Sequence, residues 1–310
     1  VIALLILPLL VPFALPALSR RALERLAPAV ALWAVAVSAV ALAGCALAAL
    51  GAFVLTGLLR LPFFASLGEL IRPLHTASDR FVLPLAALSV GGLAVSAWTL
   101  VRSALRQTRA FRAARTEAAE GPAAGDLCVV DSPCPDAYAL PGRPHRIVVT
   151  TGMLRTLDGG EREALFAHER AHNAGGHHYF LAAAEFAAHC HPALRRVRDV
   201  IRLAVERVAD EAAARAVGDR RLTARAIARA ALAGQGDGGV ERPAFVPGAV
   251  SGPVPRRVHA LLAAPRRERR AGAWVALLLA ASAGLSCAAS VAGMVDFHHR
   301  VEVAQGEAGK

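Results

Sequence analysis

His168-Glu169-Arg170-Ala171-His172 places two imidazoles four residues apart, with a carboxylate directly after the first. On an α-helix, positions i and i+4 share a face, so both rings can address one metal ion while Glu169 acts as a base on water. The flanks predict that helix. Asp158 followed by Glu161 has the pattern of a capping box, and Leu165, Phe166, Ala167 and Ala171 supply apolar packing positions. Zinc suits this donor pair, and the chemistry to expect is peptide-bond hydrolysis. Because so short a pattern also arises by chance as a surface His/Glu/His cluster, its reading depends on partners elsewhere in the chain.

A third protein ligand is needed, and two candidates compete. His178 completes the string H-E-x-x-H-x-x-G-x-x-H with Gly175, as in metzincins, which also require a Met-turn beyond the site. Met153 lies upstream of the motif and Met294 ends an apolar span, so that turn is missing. Glu206 lies in Val205-Glu206-Arg207-Val208-Ala209-Asp210-Glu211, on a helix-patterned run from about Val197 to Ala216. Glu206 and Asp210 share a face, so the first can bind zinc while the second accepts the outer N–H of a ligating histidine. A solvated Glu/Asp/Arg face is the plain alternative for those residues; paired with the upstream motif, the ligand reading is preferred. Glu185 is a rival ligand that lacks a carboxylate at the spacing Asp210 provides.

Ala167-His-Glu-Arg-Ala-His172 together with Val205-Glu-Arg-Val-Ala-Asp-Glu-Ala212 resembles the M56 family of membrane zinc peptidases, which includes β-lactam-sensing receptors. Arg146-Ile-Val-Val-Thr-Thr-Gly-Met-Leu154 is similar to the strand and short helix that precede the motif in that family, and Pro255-Arg-Arg-Val-His-Ala-Leu-Leu262 lies near the domain's end. The resemblance covers about Leu127 to Leu262. It implies zinc ligands His168, His172 and Glu206, Glu169 as general base, and Asp210 orienting His168. The chain departs from the family at Asn173-Ala-Gly-Gly-His177-His178, where His177 replaces the usual acid. Either histidine there would stabilise an oxyanion or cap a helix end.

Composition points to a membrane protein: 310 residues, 55% hydrophobic, mean hydropathy +0.44. Runs long enough to cross a bilayer occur at Val1–Leu18, within Ala27–Leu59, at Phe81–Val101 and at Ala271–Met294. The second is expected to be one tilted or extended helix, and Pro8, Pro12 and Pro16 should bend the first. The first run has its arginines after the apolar stretch and reads as a helix with its N-terminus outside, not as a signal peptide. Arg20, Arg21 and Arg25, then Arg102, Arg106 and Arg109, and later Arg266, Arg267, Arg269 and Arg270 cluster at span ends. By the positive-inside rule they put 102–270 in the cytoplasm and Asp296–Lys310 outside.

The expected fold is therefore an α-helical membrane protein with four transmembrane helices and a cytoplasmic α+β zincin-like (gluzincin) metallopeptidase domain. Its divisions are 1–101 with three spans, 102–270 the peptidase, 271–294 the fourth span and 295–310 an extracytoplasmic tail. That tail is too short for an extracellular sensor domain, which disfavours β-lactam sensing. Leu127–Asp131 and Arg146–Thr150 are predicted strands joined by a Pro-rich loop over 132–145. Val148 and Val149 are candidates for a substrate-pairing edge, with core packing the preferred role. A further helix is expected over Leu222–Ala233, followed by a flexible Gly/Pro-rich stretch, Gly234–Pro255.

The net charge of +11 comes almost wholly from arginine, since Lys310 is the only lysine. Its clustering at span ends points to anionic lipid and away from nucleic acid. Cys45 and Cys287 fall in spans, Cys128 and Cys134 lack zinc-ribbon spacing, and His189-Cys190-His191 diverges on a helix before Pro192, so none of these predicts a second metal site. The function expected is a zinc endopeptidase acting on a cytoplasmic or membrane protein, such as a transcriptional repressor. The alternatives are an M48-type, HtpX-like quality-control protease, which resembles the chain in its third-ligand Glu and following Asp, or a non-catalytic membrane sensor or scaffold.

Overall fold

The structure, a computed structural model, describes residues 2–60, 79–120, 123–234, 253–263 and 270–305. Prolines shape its first span. Helix α1 (Ile2–Leu10) passes through a 3-10 turn at Val11–Ala14 into α2 (Leu15–Arg25), together a candidate span of 23 residues. Pro12 has no N–H and stands in the turn where a donor to the Leu9 carbonyl would be. His191 answers that carbonyl with a ring nitrogen at 3.1 Å, and Phe13 meets the imidazole edge-on.

The next run is a single helix, α3 (Pro28–Leu58), of 31 residues. At 1.5 Å per residue it is about 46 Å long, more than a hydrocarbon core of about 30 Å requires. Helix α4 (Asp79–Glu120) is longer still at 42 residues and crosses position 101 without a break. The last long helix, α11 (Arg270–Gln305), likewise continues past Met294. Among the described residues, four helical segments are thus long and apolar enough to cross a membrane. Much of the expected extracytoplasmic tail is helical to Gln305, and residues 306–310 lie outside the described ones.

Beyond the spans, β1 (Ala123–Ala124), β2 (Leu127–Val130), β3 (Ala137–Leu140) and β4 (Arg146–Thr150) form a sheet in the order β1-β2-β4-β3. β2 and β4 run parallel, and β3 pairs antiparallel with β4. β3 occupies part of the stretch that the sequence reading assigned to a loop: Ala-Tyr-Ala-Leu between prolines carries little β signature, and its pairing with β4 is a tertiary choice. Val148 and Val149 are accordingly central and buried, not an edge. The sheet is covered on both sides. Ala114 and Ala118 from the far end of α4 pack on Tyr138, Leu140 and Val148, while Met153, Leu157, Leu165 and Ala230 pack on Ala137 and Val149.

Helices α5 (Thr151–Thr156), α6 (Gly159–Ala174), α7 (His177–Cys190), α8 (Leu194–Val217), α9 (Arg220–Ala233) and α10 (Val254–Leu262) complete the described part. Most of Gly234–Pro255, expected to be a loop, lies outside the described residues, and Pro255 is the second residue of α10. The largest core joins α7 and α8 to the spans: Leu181, Val197, Ile201 and Val205 bury against Leu15, Leu32, Val35, Leu42 and Leu279. Trp33 meets Phe180 edge to face, with centroids 4.8 Å apart. Helices α7 and α8 are therefore built into the bundle of apolar helices and share its interior.

Candidate metal centre

Helix α6 starts where the sequence predicts. Asp158 Oδ1 accepts from the Glu161 N–H at 2.9 Å, and Glu161 Oε2 accepts from the Asp158 N–H at 3.1 Å. This closes the capping box and satisfies two N–H groups left open at the helix start. Arg225 and Arg229 from α9 bond the same Glu161 carboxylate at 2.9 and 2.8 Å. Burial alone would raise that carboxyl's pKa; the Asp158 N–H and the two guanidiniums outweigh it and hold the group below its ordinary value.

About two turns further along, His168, Glu169 and His172 face inward, none more than 1% exposed. Helix α8 crosses α6 and brings Glu206 and Asp210, each 2% exposed, to the same place. His168 Nε2 and His172 Nε2 stand 3.0 Å apart. Glu206 Oε2 is 3.4 Å from His168 Nε2, and Glu206 Oε1 is 3.8 Å from His172 Nε2. Among the described residues these three form a group whose donor atoms converge closely enough to hold one metal ion. Ligands at about 2.0–2.1 Å in a tetrahedron stand about 3.3–3.4 Å apart, and the observed separations bracket that value.

The charge balance of the pocket also fits a cation. Arg257, wholly buried on α10, sends Nε and Nη2 to the two Asp210 oxygens at 2.9 and 2.7 Å and Nη1 to Glu206 Oε2 at 3.0 Å. Burial disfavours its charge, but Glu206 and Asp210, with Glu169 adding to the field, raise its pKa further above the ordinary value. Among the described residues the Glu206 and Asp210 carboxylates outnumber the one guanidinium set between them, which suits a cation. Burial pushes the His168 pKa down, yet Asp210, whose Oδ1 lies 3.0 Å from His168 Nδ1, and Glu206 carry it up to about 9. Asp210 itself is held down to about 2, its burial outweighed chiefly by Arg257.

His177, read from sequence as an oxyanion stabiliser or a helix-end cap, lies instead against a motif histidine. It opens α7, is 2% exposed, and sets its Nδ1 2.8 Å from His172 Nδ1. Burial, then the nearby His168 and His178, lowers its pKa to about 4, so the ring is neutral and can accept the His172 Nδ1–H while His172 Nε2 keeps its lone pair for a metal. The approach is tight: a Cβ at Gly175 would lie 2.6 Å from His177 Nε2, so only glycine leaves room for the ring. His178 turns away and stacks on Tyr179. Glu185 pairs with Arg198 and Arg202, and His191 with the Leu9 carbonyl, so neither joins the cluster. Arg257 went unread as a site residue. Its signal was an arginine four positions before Leu261, on the face that α10 buries.

Two histidines and a glutamate from crossing helices, with a carboxylate beside the first histidine, fit the metal centre of a metallopeptidase. A family model described as Peptidase family M48 matches residues 102–191, from the middle of α4 through the sheet and motif helix to the residue after α7. The match includes His168, Glu169 and His172 and stops short of Glu206. No curated protein matches the chain, and no solved structure does.

Proposed function

We propose that the chain is a membrane-embedded zinc endopeptidase in which His168, His172 and Glu206 hold the metal, Glu169 is the general base and Asp210 orients His168. The observation that carries this reading is the convergence of the three buried donor side chains from α6 and α8. Zinc bound there would supply a Lewis acid that polarises a scissile carbonyl and lowers the pKa of water to about 7. Glu169 takes the proton of the attacking water and returns it to the departing amine nitrogen. Asp210 Oδ1 stands 3.0 Å from His168 Nδ1 and His177 Nδ1 stands 2.8 Å from His172 Nδ1, placements that would hold both imidazoles with Nε2 toward a metal. Since these side chains are buried, a peptide enters only when covering elements part, and closure then excludes water.

The M48 match supports a quality-control role, cutting damaged or misfolded membrane proteins. The arrangement of three candidate spans before the motif and one after it favours a second reading, an M56-type peptidase that cleaves a cytoplasmic repressor. In both, arginine placement assigns the centre to the cytoplasmic side.

The test is cleavage by purified protein in detergent, with and without a chelator, of an unfolded membrane-protein reporter and of candidate repressors. The Glu169→Gln variant should fall at least about a hundredfold below the parent, as expected for a lost general base. Equal cleavage by both forms would overturn the assignment. Broad cleavage of unfolded reporters would support quality control, and cleavage of one folded repressor alone would support the signalling reading.

A further inference from the structure

A cleft of about 1070 Å³ is lined by α2, the start of α3, α8 and α10, and includes none of the metal-centre residues. Its lining holds seven arginines against three carboxylates, so it is suited to an anion. Several of these charges are already engaged. Arg207 donates to the Leu23 carbonyl at 2.7 Å, and Arg220 pairs with Glu211. Arg25 on α2, Arg196 on α8 and Arg256 on α10 line the cleft, are exposed, and have no ion-pair partner among the described residues. Three cations from three different helices thus line one cleft without an ion-pair partner among the described residues.

The other lining is apolar: Leu23, Leu26, Val200 and Leu203 adjoin the arginines. Its height relative to a bilayer follows from the spans. One candidate span ends at Arg25, the next begins at Pro28 and the fourth begins at Gly272. Gly272 lies against the first of these, since a Cβ there would come 2.9 Å from the Arg25 carbonyl oxygen. Span ends therefore converge on the rim of the cleft, at the level where lipid phosphates lie. A water-soluble anion would have no use for the leucines.

We propose that this cleft is a binding site for an anionic phospholipid, with Arg25, Arg196 and Arg256 around the phosphate and the leucines against the glycerol and upper acyl chains. Arg256 is the neighbour of Arg257, so the ligand would brace the same short helix that neutralises Asp210 and Glu206.

The test uses the full chain in nanodiscs of phosphatidylcholine with and without phosphatidylglycerol, reading the lipid retained after detergent washing by native mass spectrometry. Phosphatidylglycerol should be retained in preference to phosphatidylcholine, and the triple variant Arg25→Gln, Arg196→Gln, Arg256→Gln should retain it about a hundredfold more weakly. The corresponding triple lysine variant should keep most of it, because phosphate accepts a point charge. A control triple, Arg102→Gln, Arg106→Gln, Arg109→Gln on exposed positions of α4, should change little. Equal losses in the cleft and control variants would reduce the effect to general surface charge and overturn the proposal. Displacement of the lipid by millimolar inorganic phosphate would assign the site to a free anion and overturn it equally.

Discussion

Arg257 holds Asp210 through two parallel contacts, Nε to Oδ2 at 2.9 Å and Nη2 to Oδ1 at 2.7 Å, with both side chains out of solvent. Such a planar fork fixes the carboxylate's orientation, and the same Oδ1 faces His168 Nδ1 at 3.0 Å. A residue from α10 thereby sets the ring of a residue on α6 by way of α8.

Breaking that fork should be costly. Arg257→Met leaves two buried carboxylates without their cation and is expected to lower stability by about 3–5 kcal/mol. Asp210→Leu should do similarly, and the double variant should recover part of the loss, because the two substitutions remove the same interaction. Denaturant unfolding of the four proteins in detergent measures the coupling; strictly additive losses would mean that the pair is not coupled.

His177 should act on the metal through His172. His177→Ala is expected to weaken zinc affinity by about 10–100-fold, and His177→Asp, which restores a carboxylate acceptor, should equal or exceed the parent. Competition with a chromophoric chelator reads this directly, independently of any cleavage. Gly175→Ala, which forces the His177 ring aside, should weaken affinity in the same direction. Unchanged affinity in His177→Ala would remove its positioning role.

The Glu161 junction makes stability depend on pH. Its carboxyl is held below its ordinary value, so its contribution is present in full above the unfolded pKa of about 4.3 and is lost as pH falls through the lower folded value. Glu161→Gln should cost about 2 kcal/mol at pH 7 through the lost cap and the lost partner of Arg225 and Arg229. Parent and variant should converge as pH falls below that folded value. Thermal unfolding followed by circular dichroism between pH 3 and 7 tests this, and a gap independent of pH would contradict it.

Much of the architecture is written locally. The capping box announces α6, the i,i+4 spacings place His168 with His172 and Glu206 with Asp210, and uninterrupted apolar length marks the four candidate spans. What the sequence hides is what depends on distant partners. Arg257 is one of many arginines, and only the packing of α10 reveals that it lies inside. β3 is too alanine-rich to signal a strand and exists because β4 offers an edge. His177 looks like a helix-end histidine until α7 turns it onto His172. The Ala-rich α7 and α8 have no feature that says their apolar positions will be buried against membrane helices instead of within a separate domain.

The most direct measurement of the central claim is zinc content per chain in the purified full-length protein, by inductively coupled plasma mass spectrometry after removal of loosely held metal. One zinc per chain is predicted for the parent and for Glu169→Gln, with loss of most of it in His172→Ala and in Glu206→Gln. A full equivalent of zinc persisting in folded Glu206→Gln and His172→Ala would contradict a centre built between α6 and α8.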